Sequence, residues 1–180
     1  EALGIRIDLP VEKVAEAIVT FGLGFLFARN HHPAMRYVAP VRAELGVRTV
    51  FNLLGPLTNP AFASLNLVGV SSLGLVEPFA WVLRDLGSSH ALVVHGRMVR
   101  GGGLEAIDEL ALGENMVAEL KDGQVQTYPL RPEEVGLQPA PYDAIGGGTA
   151  AENAIEARAI LSGQQKGPKR DAVALNAGAA

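Results

Sequence analysis

The sequence has no cysteine, and this absence excludes several kinds of site at once. None of the 180 residues is cysteine, so there is no disulfide scaffold, no thiolate metal site and no cysteine nucleophile. The sequence also has no large excess of positive charge. The formal net charge is -4, which gives no overall reason to expect a nucleic-acid partner. A local basic patch stays open, because Arg29, Arg36, Arg42 and Arg48 fall within twenty residues.

Long hydrophobic runs are missing as well. No apolar run reaches the roughly 18 uncharged residues that a membrane-spanning helix needs. The opening residues, EALGIRIDLP, have neither the basic and apolar segments of a signal peptide nor an initiator methionine. Because the closing AVALNAGAA stops inside an apolar pattern, we expect residues 1–180 to be one partial domain, cut at both ends from a longer, cytoplasmic protein.

The pattern that is present predicts helices alternating with strands. Apolar residues at helical spacing predict helices over residues 11–21, 31–45, 75–86 and 150–161, and a last one beyond residue 170. Short apolar runs predict buried strands over 24–28, 66–70 and 91–94, and a hairpin of 117–120 with 125–128 around Asp122-Gly123. We therefore predict the α/β class, with a largely parallel sheet flanked by helices.

Local signals refine that outline. Asp8 is expected to cap the first helix, and Pro40 to interrupt the second. Residues 55–60 and 97–103 are predicted to be turn-rich or glycine-rich loops. The glycines at 101–103 could cradle a phosphate, but they lack the spacing of either known glycine-rich phosphate fingerprint.

Arg42 is the first candidate for binding a ligand. A guanidinium matches a carboxylate with two parallel hydrogen bonds and stays charged when partly buried. On a helix beside Met35 and an apolar run, it could hold an aromatic acid. The alternative is a surface arginine paired with Glu44, and the residue pattern alone favours that alternative.

Two further groups of residues carry chemistry. His31 and His32 could cap a helix or line a pocket, but adjacent residues of a helix cannot face one metal together. Asp108 and Glu109 follow a strand and a glycine-rich stretch, where carboxylates are well placed to hold Mg²⁺. The alternative is a solvated acidic turn, which is common. No Ser-His-Asp arrangement is visible, so the residues alone predict an anion site and no reaction.

The stretch GFLFARNHHPAMRYVAPVRAELGVRTVFNLLGPLTNP closely resembles the anthranilate phosphoribosyltransferase family. The resemblance continues through His95-Gly96, Asp108-Glu109, the segment 132–137 and the segment 172–178, and so covers essentially the whole chain. It implies a homodimeric enzyme of tryptophan synthesis that transfers the phosphoribosyl group of phosphoribosyl diphosphate to the amine of anthranilate.

The resemblance also implies roles for individual residues. Arg42 would hold the anthranilate carboxylate, and Asp108 and Glu109 would bind Mg²⁺. Three more residues would line the tunnel for the aromatic acid: Ala28, His32 and Met35. No covalent protein nucleophile is required for this reaction.

Two departures from the family qualify these roles. The family's Gly-Thr-Gly-Gly-Asp diphosphate loop and Lys-His-Gly-Asn segment are not among these residues, so we expect the 180 residues alone to be inactive. The acidic turn is longer than usual, so Glu105 could replace Asp108 or Glu109. The downstream register from Leu110 favours the pair at 108–109.

Two rival functions remain open from the sequence. A pyrimidine nucleoside phosphorylase would share the fold, but the helix with Arg42 argues against it. A non-catalytic, nucleic-acid-binding relative would need a basic face around Arg29 and Arg36. The acidic net charge and the intact Asp108-Glu109 pair argue against that reading, so we expect neither a nucleic-acid nor a membrane partner.

Overall fold

The computed structural model describes residues 1–31, 35–46 and 51–180. These residues form two compact units, Glu1–Ala61 (unit 1) and Phe62–Ala180 (unit 2). The expectation of one partial domain concerns the longer protein and stays a prediction. In the described ranges, no helix combines the length and the apolar composition needed to cross a membrane.

Unit 1 is helical in its described part. Its helices are α1 (Val11–Phe21), α2 (Ala28–His31), α3 (Met35–Leu45) and α4 (Phe51–Leu57). Gly22 and Gly46 end α1 and α3 with φ angles of 74° and 61°, a conformation that glycine adopts without steric cost. The ends of these two helices are therefore confirmed.

Several local predictions in unit 1 are wrong. Asp8 does not cap α1: it accepts two 3.0 Å hydrogen bonds from Arg6, and Pro10 stands at the cap position. Residues 24–28 form no strand, since the described part of unit 1 contains no strand with which they could pair. Gly24 instead packs against α1, where an added Cβ would crowd Ile18. The chain turns helical again at Ala28.

The two prolines of unit 1 helices do not act as expected. Pro40 lies inside α3, which continues through it. Pro56 lies inside α4, so residues 55–57 belong to a helix and only the residues after them form a loop. A proline removes one backbone donor, and here the rest of each helix tolerates that loss.

Unit 2 is built on one sheet between helices. Its strands are β1 (Leu65–Gly69), β2 (His90–Arg100), β3 (Gly103–Ile107), β4 (Glu114–Lys121) and β5 (Gln124–Leu130). Its helices are α5 (Val76–Asp85), α6 (Ala150–Leu161) and α7 (Pro168–Ala179). The strand order is β1-β2-β4-β5, with β3 also paired to β2.

The α/β class and the flanking helices are confirmed, but the expectation of a largely parallel sheet is wrong. Only β1 and β2 are parallel among the described strands, and the other three pairs are antiparallel. Two tight turns account for two of these pairs, β2–β3 and β4–β5, because a two-residue connection can only join antiparallel strands. They are Gly101-Gly102 and Asp122-Gly123, all with positive φ angles, as the favoured hairpin turn requires.

The hairpin at Asp122-Gly123 was predicted, whereas the one at Gly101-Gly102 was not. The strand predicted to end at Val94 continues to Arg100 as β2. Residues 97–103 are therefore not a loop: they comprise the end of β2, the turn at Gly101-Gly102 and the first residue of β3. His95-Gly96 lies in the middle of β2. α7 likewise begins at Pro168, earlier than expected.

The core of unit 2 lies on both faces of the sheet. α5 contacts β2 and β4 through its buried residues Val76, Phe79, Ala80 and Leu83. A second cluster joins the sheet, the residues after β3 and α7 through Val94, Met98, Leu112, Val117 and Leu175. Val93 and Val94 point to opposite faces of the sheet, as successive strand residues do. Both are buried, so both faces of the sheet are covered.

Candidate active site

Asp108 and Glu109 lie at a sharp bend directly after β3. The strand ends at Ile107, which pairs with Gly96 of β2, so Asp108 is the first residue beyond the sheet. Both acidic residues are exposed, while Leu110, Ala111 and Leu112 after them are at most 2% exposed. The pair is therefore a short exposed segment that connects the end of β3 to buried residues of the core.

Two glycines make room for this bend. A Cβ on Gly69, the last residue of β1, would overlap the carbonyl group of Asp108. A Cβ on Gly96 would likewise collide with the carbonyl oxygen of Glu109. The main chain of the acidic pair thus lies against β1 and β2 more closely than any residue with a side chain would allow.

Two asparagines hold the chain just after the bend. The amide of Asn176 in α7 accepts a hydrogen bond from Leu110 N and donates one to Leu110 O, both at 2.9 Å. Asn115 does the same for Ala111, with distances of 2.6 and 3.0 Å. Each asparagine therefore fixes one residue by both of its backbone polar groups.

Glu109 also borders an open groove between α6 and α7. The groove has a volume of about 630 Å³, and its wall includes Asn153, Asn176 and Lys169. Lys169 pairs with Glu156 at 2.7 Å across the two helices. Hydrogen bonds from Gln165 and then Lys169 lower the pKa of Glu156, so this carboxylate stays charged at neutral pH.

The buried histidine of β2 supports the same end of the sheet. His95 is 5% exposed, and its Nδ1 lies 2.9 Å from the carbonyl oxygen of Val70. Because a carbonyl can only accept, Nδ1 must carry the proton in this contact. Val70 directly follows Gly69, so the bond secures the end of β1 against which Asp108 packs.

The acidic pair fits a Mg²⁺ ion that is completed by other ligands. Neither carboxylate has a hydrogen-bonding or ionic partner among the side chains and backbone groups that the structure describes. The described residues contain no group of three acidic, histidine or cysteine side chains that could hold a metal alone. Mg²⁺ usually takes one or two carboxylates and fills its remaining positions with waters and substrate phosphates. Two neighbouring exposed carboxylates at one bend suit that chemistry.

Glu105 occupies a different position from the pair. It lies within β3, opposite Met98 of β2, and is exposed. Asp108 and Glu109 stand beyond the strand end, and only Glu109 of the three borders the groove. These positions support assigning the ligands to residues 108 and 109, although the assignment stays a prediction.

The residues predicted to bind the aromatic acid belong to unit 1. Ala28 is exposed and opens α2. Met35 opens α3 and Arg42 lies in its last two turns, but their side chains are outside the described part, and so is His32. His31 is half-buried in α2; this helix begins at Ala28 and not at residue 30 or 31, where the sequence predicted a helix start. The predicted roles of these residues stay untested.

Sequence reasoning missed the supports of the acidic bend. Nothing in the local pattern marks Asn176 as the partner of Leu110, because the two residues lie 66 positions apart. Asn115 lies only four residues from Ala111, but no helix or turn motif of the sequence marks that contact. The signal that was available was Gly101-Gly102, whose hairpin turn explains the glycines without a phosphate. Recognising it would have placed β3 directly before the pair.

The comparisons with known proteins agree along the whole chain. The family model described as "Glycosyl transferase family, a/b domain" matches residues 1–180. An anthranilate phosphoribosyltransferase of Thermus thermophilus is 57% identical over 99% of this chain, which covers 51% of that protein. One of Methanosarcina acetivorans is 53% identical over all of this chain, which covers 46% of that protein.

Solved structures give the same result. The crystal structure of the anthranilate phosphoribosyltransferase from Thermus thermophilus matches with a TM-score of 0.87, covering 99% of this chain and 50% of that one. The enzyme from Saccharomyces cerevisiae in complex with 4-fluoroanthranilate is 27% identical with a TM-score of 0.81, covering 97% of this chain and 49% of that one.

The chain spans about half the length of the curated relatives it matches. It is similar to anthranilate phosphoribosyltransferases in sequence and in structure. Because the family model matches every residue from 1 to 180, the chain belongs to the glycosyl transferase family, α/β domain.

Proposed function

We propose that the protein carrying this chain is an anthranilate phosphoribosyltransferase. It would transfer the phosphoribosyl group of phosphoribosyl diphosphate to anthranilate, giving N-(5-phosphoribosyl)anthranilate and diphosphate in tryptophan synthesis. The observation that carries the proposal is the 57% identity to the Thermus enzyme over 99% of this chain. We further propose that the full-length protein is a homodimer.

The chemistry of the acidic bend supports this reaction. Breaking the bond between ribose and diphosphate leaves negative charge on the departing diphosphate. Asp108 and Glu109 would hold Mg²⁺, which when bound supplies positive charge to that leaving group. A yeast anthranilate phosphoribosyltransferase variant, 26% identical to this chain, has been solved with Mg bound.

The acceptor would be bound by unit 1. Arg42 is proposed to hold the carboxylate of anthranilate with a two-point contact, while Ala28, His32 and Met35 would line the pocket for its ring. Fixing the ring and its carboxylate would aim the amine, which lowers the entropic part of the barrier. No residue needs to form a covalent bond with the sugar.

The test is a substrate comparison with the full-length protein. We expect anthranilate to be consumed only when phosphoribosyl diphosphate and Mg²⁺ are both present. Phosphorolysis of thymidine in place of this reaction would assign the protein to the pyrimidine nucleoside phosphorylases. Salt-dependent retention on DNA with no turnover would instead support the nucleic-acid-binding rival.

Replacing Asp108 tests the metal assignment. Asp108→Asn in the full-length protein keeps the size of the side chain and removes its charge. We expect the Mg²⁺ concentration for half-maximal rate to rise at least about tenfold, as losses around a metal typically do. Glu105→Gln is the matched control, since Glu105 is an exposed acid three residues earlier in β3. A larger effect from Glu105→Gln than from Asp108→Asn would move the assignment to Glu105.

A further inference from the structure

One side chain reaches from α7 to the residue that follows the acidic pair. Asn176 bonds both Leu110 N and Leu110 O at 2.9 Å. Its Nδ2 also donates to Ala172 O of its own helix at 3.0 Å. The amide plane is therefore fixed at one end by α7 and at the other by Leu110, and neither contact leaves it free to rotate.

We propose that Asn176 is a positioning residue for the metal site, setting the direction in which Asp108 and Glu109 point. The inference rests on the proposed function for its assignment of Mg²⁺ to this pair. Asn176 itself touches neither carboxylate in the contacts described above. It acts through the main chain of Leu110.

The bend is fixed at Ile107 on one side and at Leu110 on the other. The contact that fixes Leu110 comes from the side chain of Asn176, which a substitution can remove. Before the pair, Ile107 is held in the sheet by its pairing with Gly96. After the pair, Leu110 is held by Asn176. Only Asp108 and Glu109 lie between these points, and their carbonyl groups pack against Gly69 and Gly96. With both ends fixed, few backbone conformations are open to the two acidic residues.

The alternative is that Asn176 has a purely structural role, and Asn115 is an example of an asparagine with such a role. Asn115 holds Ala111 in the same manner, but it is 5% exposed and also bonds Leu130 O at 3.1 Å, so its loss would disturb the sheet itself. Asn176 is half-buried on α7. Its replacement should leave the strands paired and free mainly the bend.

The test measures metal binding directly in the full-length protein. Free Mn²⁺ is titrated by electron paramagnetic resonance against the unmodified protein, Asn176→Ala and Asn66→Ala. Asn66 is a matched control: it is half-buried and donates to Ala63 O and Ser88 Oγ at 3.0 and 2.9 Å, near the opposite end of β1. Hydrogen exchange of the Leu110 amide and thermal unfolding are followed in the same samples.

We expect Asn176→Ala to bind Mn²⁺ about tenfold or more weakly, because residues that orient metal ligands typically contribute 10- to 100-fold to affinity. Asn66→Ala should change the affinity less than about twofold, with faster exchange at Leu110 only in the Asn176 variant. If Asn176→Ala folds poorly, Asn176→Ser replaces it. Its hydroxyl can still bond Ala172 O but is too short to span both groups of Leu110.

The outcomes separate this inference from the proposed function. Unchanged Mn²⁺ affinity in Asn176→Ala, with binding that Asp108→Asn abolishes, overturns the inference alone and leaves Asn176 a structural residue. An unmodified protein that binds no Mn²⁺ overturns the metal role of the pair, and the inference with it. An equal loss in Asn66→Ala would show that general destabilisation explains the effect, which also overturns it.

Discussion

Unit 1 and unit 2 differ most in where their large apolar side chains lie. In unit 1, Val14 is the one buried hydrophobic residue among the described side chains, while Val19, Phe21 and Leu23 are 88%, 80% and 78% exposed. In unit 2, side chains as large as Met98 and Leu120 are fully buried. Both units have apolar residues at regular spacing, but only unit 2 removes them from solvent by itself.

The difference shows what periodicity can and cannot specify. Spacing and end signals define helices such as α1 because those rules are local. A core needs elements far apart in sequence to pair, as β1 and β2 do over 25 residues. Exposed side chains such as Val19 and Phe21 have few contacts to lose when they are shortened, so we expect substitutions there to change stability less than substitutions in the core of unit 2.

The largest effect should come from the core of unit 2. Leu120→Ala removes a side chain that is 0% exposed in β4 and should lower the free energy of unfolding by about 2–5 kcal/mol. Val19→Ala, on the exposed face of α1, should change it by less than about 0.5 kcal/mol. Urea unfolding of both variants measures the contrast. Equal losses would mean that the exposed face of unit 1 is buried in the full-length protein.

A second contrast has opposite signs in the two units. Gly69→Ala places a methyl group on the carbonyl of Asp108, and such overpacking typically costs about 1–3 kcal/mol. Gly55→Ala lies in α4, and apart from its chain neighbours and the backbone of its own helix no described atom lies within 4 Å of the new methyl group. Alanine should stabilise the helix there by less than about 1 kcal/mol, because Pro56 follows and opposes part of the gain. Thermal unfolding distinguishes the two. A neutral Gly69→Ala would show that the acidic bend moves easily.

The smallest effect concerns titration of a partly buried group in unit 2. Burial, and then the hydrogen bond to Glu119 at 3.1 Å, raises the pKa of Tyr128 from 10.0 to about 12. The unfolded chain therefore loses this proton first, so stability should fall between about pH 10 and 12. In Glu119→Gln the pKa of Tyr128, measured from tyrosinate absorbance, should be lower than in the unmodified protein, because only burial would then raise it. An unchanged curve would assign the whole shift to burial.

Much of unit 2 follows from the sequence. β1, α5 and α6 lie within one or two residues of their predicted bounds, and the hairpin at Asp122-Gly123 has the predicted turn, although β4 begins three residues earlier than predicted. Each combines a clear apolar pattern with a turn or cap residue, such as Thr149, which accepts a hydrogen bond from Glu152 N at the start of α6. Where pattern and end signal agree, local rules suffice.

The failures have a common physical cause. The pairing of β3 with β2 depended on whether Gly101-Gly102 was a loop or a tight turn, and the same two glycines allow both. The antiparallel pairing of β4 with β2 depends on contacts between strands that the sequence pattern does not mark. Residues 24–28 have the composition of a strand, but a strand needs a partner, which their unit does not offer among its described residues. The acidic pair was found from its residue types, whereas its supports at Gly69, Gly96 and Asn176 depend on contacts that only the folded chain brings together.

The hairpin of β2 and β3 has a consequence for comparing relatives of different length. In an antiparallel arm, every residue added to one strand is matched by one in the other, so the arm can grow or shrink in steps of two. Ile107 would still meet Gly96, and the acids would leave the sheet at the same point. Counting residues from His95 would therefore misplace the pair in a relative with a longer or shorter arm, whereas counting back from the residue equivalent to the buried Leu110 would locate it.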